Sequence, residues 1–494
     1  MTGEAPEAAQ DRPAPTEEEQ RWLDEAVNGL RRERPDMSSS VVLTTRQRYG
    51  LIVVLVVLIP LALAFRNDTA VVLLAGLNVA YAIVVAYRVF LVTRVLRPSP
   101  PESGMRAGMH HITDEEARAV PDEDLPIYTV LLPAYNEPGI MSRLVSGVGA
   151  MEYPRDKLDV QLLLEADDVT TVAAAEATGA AAFARVVLVP PAEPRTKPKA
   201  CNYGLQQARG ELTTIYDAED RPDPLQLRRA VVAFGRVGED VACLQARLSY
   251  HNADQNLLTK WFAIEYETWF GFLLPGLSSV GAPLPLGGTS NHLRTDVLRR
   301  LHGWDPFNVT EDADLGMRLA RSGYHSEVLD SVTLEEANSD PINWARQRSR
   351  WNKGYLVTAL VQLRHPVRLA RELGAKALVS LILTVLATPV MSLLNPVAWL
   401  LSLGWWTGTM PFIASIFPGW LVYLSLLNLF VGNFANVYVD VVALRQLRRP
   451  GLLWACLAMP LYWVLMAVGT GKAFVQLITA PSYWEKTAHG LDAA

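Results

Sequence analysis

The apolar positions of this chain are gathered into blocks. Leu51–Phe65 and Ala70–Val92 are nearly uninterrupted, with only "RNDT" between them. The second block is long enough to cross a hydrocarbon core of ~30 Å as a helix, and the first, of about 15 residues, reaches that length if extended at either end. Together they predict a helical hairpin across a membrane. A cleaved leader is the competing reading; an acidic stretch of ~45 residues before the first block, and no small-residue cleavage site after it, argue against that. Apolar character returns in Ala377–Trp406, Phe412–Leu444 and Leu452–Ile478, with a break expected at Asn395 and Pro396. These blocks predict five or six spans in all.

Between the two sets of blocks the period shortens. "IYTVLLPAYNE", "LDVQLLLEADD", "ARVVLVPP" and "ELTTIYDAED" read as four buried strands, each running into polar residues. Segments rich in helix formers, Met141–Met151 and Thr170–Phe183, separate them. That alternation predicts parallel βαβ units, hence an α/β domain over residues 124–340 set between membrane helices. A segment at 341–370, carrying Trp344 and Trp351, and another at Asp254–Leu274, with Trp261 and Trp269, read as interfacial helices in which tryptophan sits at headgroup level.

Composition sharpens this picture only in part. Half of the 494 residues are hydrophobic and 19% are charged, because the apolar blocks raise the average. The net charge of −6 says little, since much of the acid lies in the first 20 residues, which read as a disordered tail within 1–45 ahead of a short helix near Arg21–Arg32. Arg46, Arg48, Arg88, Arg94, Arg97 and the "RQLRRP" stretch at Arg445–Pro450 flank the spans, whereas "WTGTMPF" carries no charge. This places both flanks of the polar region in the cytoplasm. Three cysteines, Cys201, Cys243 and Cys456, lack metal-ligand spacing. No nucleic-acid partner is expected, and no appended regulatory domain is expected after the last span at 375–479 and its tail at 480–494.

In parallel sheets ligands bind at the carboxyl ends of strands. That rule brings together Asn136 and Glu137, then Glu165, Asp167 and Asp168, then Asp217, Glu219 and Asp220. A crevice lined by carboxylates suits an anion only if a divalent metal lies between, since Mg2+ or Mn2+ takes one or two carboxylates together with phosphate oxygens. Asp217 and Glu219 face the same way if their segment is extended; the plain alternative is a solvated turn. Lys197, Lys199 and Asn202 precede a helix, where charge and free backbone donors hold phosphate, unless they are simply a solvated basic loop.

The run "LLPAYNE", "LEADD", "KPKACNYGL", "YDAED", "GGTSNHLRT", "VTEDADLGMRL" and "QRSRW", in that order over Ile127–Tyr355, resembles the membrane-embedded family 2 glycosyltransferases, among them bacterial cellulose, chitin and hyaluronan synthases. The resemblance implies a GT-A-like nucleotide-sugar-binding fold, a UDP-sugar donor, Mg2+ or Mn2+, and a glycan or lipid acceptor at the plasma membrane. Residue by residue, it implies that Asp167, with Asp168 or Glu165 as competitors, contacts the uracil. It makes Asp217 and Glu219 the metal pair, with glutamate in place of the usual second aspartate. It makes Asp312, beside Glu311, the general base. It gives Ala134, Asn136, Glu137, Lys199, Asn202, Gly288, Thr289 and Ser290 to the donor pocket, and Gln347, Arg350 and Trp351 to the Q-x-x-R-W motif.

A single inverting displacement needs one base on the acceptor hydroxyl and fixed positive charge where the diphosphate leaves. On this reading Asp312 supplies the first, and Lys199, Arg350 and the metal supply the second, while Trp351 stacks on the acceptor and Trp344 anchors the interfacial helix. The resulting expectation is a processive synthase that threads a β-linked polysaccharide through its own helices. A non-processive enzyme acting on a lipid acceptor is the alternative. A non-catalytic scaffold or transporter fits poorly, because few ionisable residues beyond Asp440 and Lys472 lie within the blocks.

Overall fold

The computed structural model describes residues 15–98, 104–141, 144, 147, 149–409, 413–481, 483 and 485. The tail expected at 1–14, part of the helix expected at 141–151 and most of 480–494 lie outside the described residues.

The expected membrane hairpin is α2 (Thr45–Ala64) and α3 (Arg66–Val95). No residue of α2 is buried, and Val53, Val57 and Leu63 stand exposed along it. A soluble protein does not leave so wide an apolar face uncovered. Three further helical stretches, Pro366–Thr407, Gly419–Gln446 and Pro450–Thr479, make five that are long and apolar enough to cross a membrane. The break expected at Pro396 is not there: the helix Ala387–Thr407 runs through it. Packed neighbours and local hydroxyls meet the polar groups that a proline frees inside a span. The irregularities lie upstream, at Gly374, whose φ is 75°, and at a widened turn over Ile382–Leu386, where the Thr384 hydroxyl donates to the Ser380 carbonyl at 2.7 Å.

The polar middle is built on a ten-stranded sheet: β1 (Met105–Arg106), β2 (Met109–His110), β3 (Tyr128–Ala134), β4 (Leu158–Glu165), β5 (Arg185–Val189), β6 (Leu212–Ile215), β7 (Arg221–Pro222), β8 (Val241–Tyr250), β9 (Asn291–Arg294) and β10 (His325–Glu335). Their spatial order is β1-β2-β10-β8-β9-β6-β3-β4-β5, with β7 on β10. The four expected strands are β3, β4, β5 and β6, and they pair in parallel. Tyr128 stands opposite both Leu158 and Leu212, so these strands start level and point their carboxyl ends the same way. Alternation sends Leu131, Leu163, Val187 and Ile215 to one core, and Val130, Leu132, Leu162 and Leu164 to the other. The first core also holds Leu91, Val92, Leu444, Tyr462 and Met466, so the sheet and the span helices share one hydrophobic interior.

The short helix expected near Arg21–Arg32 is present and begins earlier, so that residues 15–20, expected within a disordered tail, are placed on the domain. Thr16 and Glu19 form a capping box that starts α1 (Glu17–Glu33), and Arg31 and Arg32 lie in its last turn. The apolar stripe Ala26, Val27 and Leu30 packs on the Lys197–Gln206 helix, and Trp22 meets Tyr203 edge-on at 6.2 Å. Further on, the Ser39 hydroxyl donates to Asp305 at 2.7 Å.

Candidate active site

The strand ends open into a cavity of about 620 Å³ that continues between the span helices. At its head, Lys197 bridges two elements: its ammonium pairs with Asp217 and donates to the Gly288 carbonyl at 2.8 Å. Asp220 accepts from the Asp217 backbone at 2.8 Å and from the Thr289 hydroxyl, which fixes the loop after β6 against the "GGTSNH" turn. A side chain at Gly288 would meet Asp312 Oδ2 at 3.4 Å and the Lys197 ammonium at 3.9 Å, so glycine keeps the space between them open.

Glu311 and Asp312 occupy the first turn of the Glu311–Arg321 helix, where the helix dipole favours negative charge. Asp312 Oδ1 accepts from the Ala313 backbone at 2.8 Å. Burial raises both carboxyls, Glu311 to about 7 with the Asp312 charge adding to the shift, while Lys197 and Arg350 oppose the rise. Arg350 feels the charges of Glu311, Asp312 and Asp217 together. The three most separated expectations, Asp217, Asp312 and Arg350, therefore share one site.

Other residues lie elsewhere than expected. Lys199 is fully buried in an ion pair with Glu165 at 2.8 Å, and Lys197 takes the cavity wall in its place. Two positions on a helix point about 200° apart, so only one of these lysines can face the cleft. Asn202 is turned inward and bonded to the Ala26 and Trp304 backbones. The Ser290 hydroxyl is spent on Thr333. Asp168 caps the Val169–Ala177 helix and accepts from the Asn136 backbone, while Asp167 pairs with Arg195 at 2.6 Å. Ala134, Glu137 and Glu165 line the cavity.

In the Q-x-x-R-W helix, Pro341–Gln362, Gln347 accepts from Asn338 at 2.8 Å, and the Trp351 ring lies near-parallel to Tyr266, with centroids 6.2 Å apart. Trp344 does not anchor at an interface: it is 1% exposed and packs on Tyr462. Trp261 is likewise buried, its indole donating to the Ala455 carbonyl at 3.1 Å. Both belong to the seam between the domain and the last span, which excludes lipid headgroups. Gly354 lets this helix approach the start of the Glu311–Arg321 helix, since a Cβ there would fall 2.3 Å from the Thr310 hydroxyl.

Sequence reading missed Arg348, Glu265, Tyr266 and Glu335. Arg348 donates to Glu265 at 3.0 Å and to the Tyr462 hydroxyl at 2.8 Å, with its guanidinium 4.3 Å from the Phe262 ring centroid and 4.6 Å from that of Trp351. Glu335 ends β10 on the cavity wall; burial and the charges of Asp220, Asp217 and Glu219 push its carboxyl well above the usual range. Trp344 and Trp351 are seven residues apart and so share a helix face, a signal that pointed to one common packing surface.

Among the described residues no group of three metal-ligating side chains is assembled. Asp217 and Glu219 both line the cavity, and a cation bound jointly by protein and diphosphate needs only one or two carboxylates. Negative charge at this end is in excess, with Asp217, Glu219, Asp220 and Glu335 mutually opposed and the Lys197 ammonium bonded to Asp217. The donor set therefore fits a divalent ion that arrives with an anionic ligand.

A parallel half-sheet with carboxylates at its strand ends, completed by antiparallel strands, defines a GT-A-like fold. Residues 126–354 match the family model "Glycosyltransferase like family 2", and this segment is a family 2 glycosyltransferase domain. Among similar proteins, the beta-monoglucosyldiacylglycerol synthase of Trichormus variabilis is 27% identical over 47% of this chain and 49% of that one. Glucomannan 4-beta-mannosyltransferase 1 of Oryza sativa is 26% identical over 48% of each chain. The chain thus spans about half the length of these curated relatives. The solved mannosyltransferase PcManGT of Pyrobaculum calidifontis, in complex with GDP-Man and Mn2+, covers 83% of this chain and 99% of its own at 19% identity and a TM-score of 0.50, a likeness of fold.

Proposed function

We propose that the chain is an inverting, metal-dependent glycosyltransferase of the plasma membrane that polymerises a UDP-sugar, at the cytoplasmic face, into a β-linked polysaccharide and passes it between its helices. One observation carries this reading. The cavity that holds Asp217 and Asp312 continues among the spans, where Thr384, Thr388, Asn395 and Asn436 line it with polar groups.

In this mechanism the acceptor hydroxyl lies against Asp312, which takes its proton as the oxygen attacks the anomeric carbon from the face opposite the diphosphate. The anomeric C–O bond to the diphosphate breaks, and the departing charge meets Lys197 and Arg350. Trp351 and Tyr266 offer flat apolar faces to the C–H side of the acceptor ring. A divalent ion on Asp217 and Glu219 would supply further charge for the diphosphate. Asp167, paired with Arg195 beside Tyr135, remains the proposed contact for the base of the nucleotide.

The second reading, transfer to a lipid acceptor, draws on the apolar part of the same lining, Val84, Leu91, Leu277 and Met391, and on the lipid product named for one relative. Incubation of the purified protein with UDP- and GDP-sugars and Mn2+, followed by mass determination of the product, separates the two. A ladder of sugar units is expected, and a single sugar on a lipid would replace the first reading with the second. For the metal pair, Asp217→Ala is expected to weaken UDP binding in Mn2+ by about tenfold or more, the loss of one charge-assisted contact. In EDTA the same substitution is expected to change binding little. Equal affinities of wild type and variant in Mn2+, by calorimetry, would remove Asp217 from the metal site.

A further inference from the structure

Where the cavity passes from the domain into the helices, it is walled by three polar side chains that the displacement at Asp312 does not use. Arg88 reaches it from α3, and Asn436 and Asp440, one turn apart on the same face, reach it from the Gly419–Gln446 span. Asp440 is 3% exposed and accepts from the Thr268 hydroxyl at 2.9 Å. Arg88 is close enough for its charge to act on Asp440, yet no ion pair within 4.0 Å joins them among the described residues. The Arg88 Nε and the Asn436 Oδ1 are both buried without a hydrogen-bond partner in the protein, and Asn436 is 6% exposed, its amide nitrogen donating to the Tyr81 hydroxyl at 3.2 Å.

Ionisable groups near a span are costly, and those that persist face a path used by a ligand. A buried amide oxygen without a donor is costly as well. Here a donor group, Arg88, and two acceptors, Asp440 and Asn436 Oδ1, line one stretch of the cavity. An anionic headgroup would meet Asp440 with like charge. An acyl chain would leave all three groups unmet. A sugar ring carries hydroxyls that donate and accept at once around its rim, and it satisfies both sides of the site.

We propose that Arg88, Asn436 and Asp440 form a hydroxyl-binding subsite for the acceptor glycan at the mouth of the membrane half of the cavity. This rests on the transferase reading above for its place in a reaction, but it is a statement about binding. It makes the acceptor a neutral, hydroxyl-rich chain.

The test is binding of cellohexaose, mannohexaose and dioleoylglycerol to the full chain in detergent micelles, read by quenching of the cavity-lining tryptophans Trp269, Trp351 and Trp463. Wild type is expected to bind at least one hexaose, and Arg88→Met and Asn436→Leu are each expected to weaken it roughly tenfold, the effect of one lost charged or buried hydrogen bond. UDP binding at the cleft is expected to stay unchanged in both. Asn436→Leu keeps the branching at Cγ while removing both polar atoms, so it reports on the site even if Arg88→Met folds poorly. Unchanged hexaose affinity in the folded variants, or a wild type that binds dioleoylglycerol and neither hexaose, overturns the subsite. If hexaose binding falls in the variants while no nucleotide sugar is ever turned over, the subsite stands and the transferase reading falls.

Discussion

Asp312→Asn is expected to lower turnover by about 10²- to 10⁴-fold, the usual contribution of a positioned general base, while UDP affinity changes little. The amide has the size of the carboxylate and keeps an oxygen for the Ala313 backbone N–H, so the first turn of the Glu311–Arg321 helix is preserved. What is lost is the capacity to accept a proton. Nucleotide release and calorimetry with UDP, run on the same preparation, measure the two effects separately. An Asn variant with wild-type turnover removes Asp312 as the base. The pH profile adds a check. Glu311 and Asp312 share a buried site in which Glu311 is pushed up to about 7, so the pair takes on a proton as pH falls through that range. Burial raises Asp312 as well, so turnover is expected to fall on the acid side as Asp312 itself becomes protonated, with that limb lying above the usual aspartate range.

Arg348→Ala is expected to cost about 3 kcal/mol of stability, at the low end of the range for breaking a buried ion pair by removing one partner, because Glu265 is about one-third exposed. The truncation strands the Glu265 carboxylate and the Tyr462 hydroxyl and removes the cation lying against Phe262 and Trp351. A lowered apparent Tm in detergent checks it. The double variant Arg348→Met with Glu265→Gln is expected to lose less than the sum of the two single changes, because their interaction is counted in each. Additive losses would mean that the pair contributes no coupling. Arg348→Lys is expected to recover only part of the stability, since an ammonium cannot engage Glu265 through two parallel donors.

The parallel half of the sheet was legible because β3, β4 and β5 carry short apolar runs, Val130–Leu132, Leu162–Leu164 and Val186–Val189, and β6 is rich in β-branched residues, each leading into polar positions. β8 and β10 were not, because "VACLQARLSY" and "HSEVLDSVTLE" interrupt the run with Gln, Arg, Asp and Ser. Those polar residues are met within the fold: Gln245 accepts from the Gly287 backbone and donates to the Thr289 carbonyl, and Arg247 pairs with Glu267 and Asp330. Nothing in a short window shows that such partners will arrive from 40 or 80 residues away. In the site, motif order assigned Asp217, Asp312 and Arg350 to one place, and all three line the same cavity. It chose Lys199 where Lys197 lines the cavity, a choice set by the phase of one helix. Trp344 and Trp351 were each given a plausible role singly, although their spacing marks one face wrapped around Arg348.

The docking of α1 also bears on the order of events during synthesis. That helix leaves the ribosome ahead of both segments of the α2–α3 hairpin, yet the surface that receives its apolar stripe is made only when the Lys197–Gln206 helix appears, and Asp305 later still. Until then Ala26, Val27 and Leu30 have no counterpart, so the stripe stays uncovered while the α2–α3 hairpin is being made. Closure of the amino-terminal strap thus comes only after Asp305 has been made, and a nascent chain halted before that residue would still expose it.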